Sequence, residues 1–199
     1  INFPSDKDRM YRVLGRIRRF QREHGSRQVQ GRWAYAKRLN TELGKKIARE
    51  IVFYASENRA DVIVFEYLEM KGKLSGKKKQ KLQMWRKRDI QKRCGQQAHR
   101  KGIRISRICA WNTSRLAFDG SGKIDRDIQD HRLCTFQNGK RYNCDLSASY
   151  NIGARYFIRE ILKPLPATER SLLEAKVPAV KRRTSCVYAD LRDLISEME

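Results

Sequence analysis

Apolar and polar positions follow a helical period through the first third of the chain. Met10, Leu14 and Ile17 recur at helical spacing, and Val13 and Phe20 widen the stripe. Arginines fill the other faces: Arg12, Arg16, Arg18, Arg19 and Arg22. This pattern predicts a helix over 5–22, with Ser5 as N-cap and Asp8 as its capping-box partner. Gly25-Ser26 then breaks the period. A second helix is predicted over 33–57. Its stripe of Leu39, Leu43, Ile47 and Ile51, flanked by Ala36, Ala48, Val52 and Ala55, is expected to pack on a sheet. Asn58-Arg59-Ala60 turns the chain out of it.

The period then changes. Val62 to Phe65 is an unbroken β-branched and aromatic run, which suits a strand buried on both faces. Glu66 ends that run. A third helix is predicted over 80–100, with Leu82, Trp85, Ile90, Cys94 and Ala98 on its apolar side and Gly102 ending it. His99, in its last turn, reads as a helix-end residue rather than a metal ligand. A strand follows over 103–111, with Ile103, Ile105, Arg107, Cys109 and Trp111 on one face. Strand, helix, strand implies a βαβ unit with parallel strands and a right-handed crossover.

Residues 112–142 are polar, with turn sequences at Asp119-Gly-Ser-Gly122 and Asn138-Gly139 and anchors at Phe118, Leu133 and Phe136. They read as a small insert or irregular hairpin. A helix is predicted over 145–162, striped by Leu146, Tyr150, Gly153, Phe157 and Ile161, with Asp145 at its first position or N-cap. Pro164 and Pro166 stop it. Short helices are expected over 168–175, capped by Thr168, and over 185–198, in a tail that docks on the domain or on a partner.

Composition adds a partner. The 199 residues carry a net charge of +23, and the pI is near 10.3. So strong a field favours a polyanion, by default nucleic acid. No apolar run is long enough to span a bilayer and no signal peptide is evident, so the chain is expected in the cytoplasm, at the nucleoid when bound to DNA. Five cysteines without a CxxC pair read as reduced thiols rather than a disulfide scaffold. Arg16 and Arg19 of the first helix are candidate phosphate contacts. So are Lys71, Lys73, Lys77, Lys78 and Lys79 of the glycine- and lysine-rich loop after Glu66.

The candidate chemistry lies in two carboxylates. Glu66 ends a strand, where ligands gather in open α/β sheets, and Asp145 begins a helix after the next strand. Brought together they repel, and a shared divalent cation relieves the repulsion. Hard oxygen ligands suit Mg2+ or Mn2+. Two such ions can activate water and steady the leaving oxygen in phosphodiester cleavage.

Two stretches carry a family resemblance. Asp61-Val-Ile-Val-Phe-Glu66-Tyr-Leu-Glu-Met-Lys-Gly72 resembles the second RuvC motif of transposon OrfB (TnpB-type) nucleases and of the related type V CRISPR effectors. Cys144-Asp145-Leu-Ser-Ala-Ser-Tyr-Asn-Ile-Gly-Ala-Arg155 resembles the third, and Asn112-Thr-Ser114 sits where that family opens its zinc ribbon. The likeness covers roughly 32–162 and keeps the order of parts. It implies an α/β, RNase H-like (RuvC) partial domain, with helices around a small mixed sheet and an irregular ribbon-like insert. The division expected is a RuvC-like region over 1–111, a degenerate ribbon over 112–142, a final RuvC helix over 143–163 and a helical tail over 164–199.

The resemblance implies RNA-guided, magnesium-dependent cleavage of DNA, with DNA and a guide RNA as partners. It makes Glu66 and Asp145 catalytic metal ligands and Arg155 a candidate phosphate contact. The family's first catalytic Asp is expected before Ile1 with three strands, so the chain reads as the C-terminal part of a longer enzyme, inactive alone. The ribbon's two CxxC pairs are replaced: the first place reads Arg115-Leu-Ala-Phe118, and the second keeps only Cys134, with Cys144 further on. Zinc is therefore not expected, although His131, Cys134 and Cys144 supply three of the four ligands a tetrahedral site needs. The alternatives are a non-catalytic nucleic-acid-binding module of the same fold and a strand-joining transposase, which needs a third acid, for instance from Asp119, Asp125, Asp127 or Asp130.

Overall fold

A computed structural model describes residues 4–25, 29–67, 87–182 and 184–199 of the chain. The protein is a mixed α/β structure in which helices predominate over small sheets. The described residues fall into two compact units, one from 1–63 and 71–105, the other from 64–70 and 106–199.

The first unit is built on helices. Helix α1 is described over Pro4–His24. Ser5 thus lies inside the helix and is not its N-cap. Helix α2 (Gln30–Glu57) starts earlier than the apolar stripe alone predicts. Lys46 Nζ lies 2.6 Å from Asp6 Oδ2, Arg9 Nη2 donates to Tyr35 Oη at 3.0 Å, and the Arg32 guanidinium covers the Phe20 ring at 3.9 Å. These three contacts tie α1 to α2.

The buried face of α2 is Ala36, Asn40, Gly44, Ala48, Val52 and Ala55, while Leu39, Leu43, Ile47 and Ile51 are only half-buried. The expected stripe is therefore off-centre, and its chief neighbours are helices α3 and α1 rather than a sheet. The reason is size. Small residues let a second helix approach closely, and a Cβ on Gly44 would lie 3.5 Å from Asp89 Oδ2 and 3.8 Å from Ile90 Cγ1. Both of those residues belong to α3 (Lys87–His99). Cys94 of α3 points its thiol at the Ala48 carbonyl, and burial pushes its pKa up to about 11, so it packs as an uncharged side chain.

Both α2 and α3 end in the same motif. At the end of α3, Ile103 N–H bonds to Ala98 O and Gly102 N–H to His99 O, with Gly102 in the left-handed region at φ +71°. At the end of α2, Ala60 N–H bonds to Ala55 O and Arg59 N–H to Ser56 O, and there Arg59 takes φ +51°. Each turn delivers the chain directly into a strand, β1 (Val62–Tyr67) or β2 (Arg104–Cys109). These strands are hydrogen-bonded neighbours in a two-stranded sheet. Val62 to Glu66 are half-buried and Tyr67 is exposed, which corrects the expectation of burial on both faces. With β2 as its one sheet neighbour among the described residues, β1 is too sparsely covered for that.

The second unit is organised by helix α4 (Cys144–Leu162). Its Ala154, Ile158 and Leu162 form one core with Val177, Val180, Cys186, Leu191 and Leu194 of the tail. The tail consists of α5 (Ala167–Lys176), a 3-10 turn (Pro178–Arg182) and α6 (Tyr188–Ser196). Of the two expected docking partners, the structure therefore gives the tail its own domain. Thr168 lies within α5 rather than capping it, because Pro166 holds the N-cap position. Helix α6 is shorter than the pattern predicts, and Val187 N–H before it is held by Asp190 Oδ2 at 2.7 Å.

The insert is an antiparallel sheet of β3 (Asp125–Arg126), β4 (Leu133–Thr135) and β5 (Arg141–Asn143), with a further bridge from Leu116 to Lys123. Both turn sequences form turns. Asp119 Oδ1 accepts from the Ser121 backbone and hydroxyl, and Gly139 takes φ +83° beside Asn138, whose Oδ1 accepts from Lys140 N–H.

Candidate active site

Glu66 sits on the last turn of the pleat in β1, half-buried. The Thr113 hydroxyl lies 2.9 Å from Glu66 Oε1 and 3.1 Å from the Ala110 carbonyl, so its single proton is shared between the two. Thr113 is 1% exposed. Its own carbonyl accepts from Asn151 Nδ2 at 3.0 Å. Asn151, wholly buried on α4, spends its amide on three backbone groups: Nδ2 also donates to Leu116 O at 2.9 Å, and Oδ1 accepts from Tyr188 N–H at 3.1 Å. A buried amide left unmatched is costly, so this arrangement fixes α4 against the segment carrying Thr113.

Asp145 lies at the head of the same helix. Asn143 is the N-cap: its Oδ1 accepts from Asp145 N–H at 2.9 Å and Leu146 N–H at 3.0 Å. This corrects the N-cap reading of Asp145, which is the second residue of α4 and exposed. There its charge is favoured by the free N–H groups of the helix start. It precedes Asn151 by six residues, about 9 Å of helical rise. The capping that the sequence offers as a role for Asp145 is thus supplied by Asn143.

Arg155 is not where a phosphate contact would be. It is 3% exposed. Nε donates to Cys186 O at 2.9 Å, and Nη1 donates to Cys109 O at 2.9 Å and Trp111 O at 2.7 Å. Burial pulls its pKa below the ordinary guanidinium value, opposed by Cys109, Cys186, Glu66 and Asp190 around it. Arg155 is a clamp: it joins α4 to the end of β2 and to the chain entering α6, and it lends positive charge to Glu66 from behind. Arg159, one turn on, repeats the pattern with Arg107 O at 3.1 Å and Ser106 Oγ at 2.7 Å.

In the insert, Cys134 and Cys144 lie together in an apolar cluster with Ala117 and Phe136. Burial and the neighbouring Cys144 push the Cys134 thiol up to about 11, and its Sγ faces the Tyr142 carbonyl at 3.4 Å. His131 is exposed, with Nδ1 against the Asp127 carbonyl. Among the described residues no three His, Cys, Asp or Glu side chains gather as a metal-holding group. Rings occupy the centre of the insert instead. Phe118 touches Phe136, Tyr142, Tyr150 and Tyr188 at centroid distances of 5.0–6.2 Å. Ala189 N–H bonds to Phe118 O, and a Cβ on Gly120 would meet Ala189 Cβ at 3.1 Å, so α6 seats directly on the hairpin.

Arg16 and Arg19 are exposed on α1, as a backbone contact requires. Lys71, Lys73, Lys77, Lys78 and Lys79 lie outside the described residues, as does the first part of the third predicted helix. Thr113 and Asn151 were not singled out for a role from the sequence. Their signal was present, since Asn112-Thr-Ser114 and the Asn-Ile pair are the quoted motif residues. What the spacing could not show is that the two meet across 38 residues. Asp190 was missed as well; burial raises its carboxyl above the usual range, against the Val187 N–H bond and Arg155, which favour the charge. The chain matches no protein-family model and no curated protein.

Proposed function

We propose that this chain is the C-terminal part of an RNase H-like, RuvC-type endonuclease that cleaves DNA with divalent metal under the direction of a guide RNA. The observation that carries the reading is the bond from Thr113 to Glu66 Oε1, continued through Asn151 into α4, whose second residue is Asp145. It ties Glu66 through the buried Thr113 and Asn151 to the helix near whose start Asp145 lies, as a site that must hold position requires. The donor set fits magnesium or manganese: two carboxylates, hard oxygen ligands, one at a strand end and one at a helix head. Bound there, the ion would supply an activated water and charge stabilisation at the scissile phosphate.

This chain's own residues do the positioning. Thr113 orients Glu66. Asn143 holds the first turn of α4, and with it Asp145. Arg155 tethers α4 to the end of β2 and lends positive charge toward Glu66. The net charge of +23 supplies a field for DNA and guide RNA, and α1 presents Arg16 and Arg19 to it. The resemblance assigns a further Asp and three strands to sequence before Ile1, and the sparse cover of β1 is compatible with added strands. The test is cleavage of guide-matched DNA by a longer chain that includes that Asp. Cutting should occur with magnesium and fall at least a hundredfold in Glu66→Ala and in Asp145→Ala, as loss of a metal ligand implies. Unchanged cutting in either variant would refute the assignment.

A further inference from the structure

The second unit holds an open pocket of about 540 Å³, within the range of small-ligand sites. Its walls include Tyr67, Trp111, Asn112, Ser114 and Arg115. Two features set it apart from ordinary surface. Trp111 is 66% exposed, a large ring with strong reason to be buried, and Tyr67 is 54% exposed. The backbone beneath Trp111 is also unusually fixed. Its carbonyl takes a 2.7 Å bond from the buried Arg155, Asn112 next to it holds φ +58°, and Thr113 beyond is locked to Glu66. A fixed backbone under an exposed ring lowers the ordering cost of receiving something flat to that of the side chain alone.

We infer that this pocket is a base-stacking subsite, in which a nucleobase of a single strand lies against Trp111, with Tyr67 as the second ring. Every base has a π-face, and stacking on exposed aromatics is how single strands are held without reading sequence. A duplex keeps those faces covered, so the ligand is a single strand or an opened one. The chemistry of the walls agrees. Asn112 and Ser114 offer donors and acceptors for a base edge, and the exposed Arg115 offers charge for the adjoining phosphate. The inference rests on the nuclease reading for its choice of a nucleic-acid ligand and adds a subsite to it.

The test is binding without catalysis. The affinity of the full 199-residue chain for a fluorescent twelve-nucleotide thymidine strand is measured by anisotropy in EDTA, beside a strand of equal charge made of abasic sites. Trp111→Ala should weaken binding of the thymidine strand about tenfold and leave the abasic strand unchanged, while Trp111→Phe stays within about threefold of the parent. Equal affinity of parent and Trp111→Ala for the thymidine strand would overturn the subsite, and so would an equal loss on both strands. Because no divalent ion is present, a chain that stacks bases but whose longer form never cuts DNA leaves this subsite standing and removes only the nuclease reading.

Discussion

Arg155 shows how far one side chain's role depends on where its helix is seated. In the sequence it is a positive charge ten residues after a motif acid, and phosphate is the natural partner. In the fold it lies on the same face of α4 as Asn151, and that face is inside. Three backbone carbonyls take its hydrogens, and Nη2 is buried without a partner. Removing the guanidinium strands those carbonyls in a low-dielectric pocket, each worth about 1–3 kcal/mol when left unmatched. Arg155→Met is therefore expected to lower unfolding stability by roughly 3 kcal/mol or more by urea denaturation. Arg155→Lys should recover little, since one ammonium cannot reach carbonyls on two segments as a planar fork does. Full stability in Arg155→Met, with nucleic-acid affinity lost, would restore the phosphate role.

Helices were legible at the scale of the element because their periods are local. The predicted span over 145–162 differs from α4 by one residue at its start, and the breaks at Gly25, Gly102 and Pro164 fall where helices end. What was not legible was which neighbour each face meets. The α2 stripe was read by hydrophobicity, yet closeness of approach chose its small residues, with Gly44 against Asp89 and Ile90. Likewise Asn143 took the cap because its side chain reaches two N–H groups at once, a choice that spacing leaves open between neighbours. The insert is held by short loops whose carboxylates accept local bonds. At Asp119, burial is outweighed by bonds from Ser121 and Asn138 and by the charge of Lys140; Asp127 accepts from the Asp130 and Gln129 backbones, and Asp130 from Arg132. All three are thereby lowered from 3.8. A lowered carboxyl stabilises the fold above its unfolded value and loses that contribution as pH falls through the folded one. Amide exchange in 115–143 is accordingly expected to accelerate below about pH 3.8, before exchange in the α4 core does. Simultaneous loss of protection in both would show that these carboxylates do not govern the insert.

For the whole molecule, charge and connectivity set the limits. Among the described residues no helix is long and apolar enough to cross a membrane. The excess of 45 basic over 22 acidic residues leaves exposed arginines on α1, on β2 and around the insert. Against that background Glu66 and α4, the helix that carries Asp145, are joined through the buried Thr113 and Asn151. The account turns on those acids holding one metal ion together. The direct measurement is manganese titration of the 199-residue chain with Glu and Asp side chains isotopically labelled. Signals of Glu66 and Asp145 should broaden together at the lowest manganese added, and Glu66→Gln should abolish the broadening at Asp145. Broadening of one carboxylate without the other, or of neither before general surface binding sets in, would contradict the account.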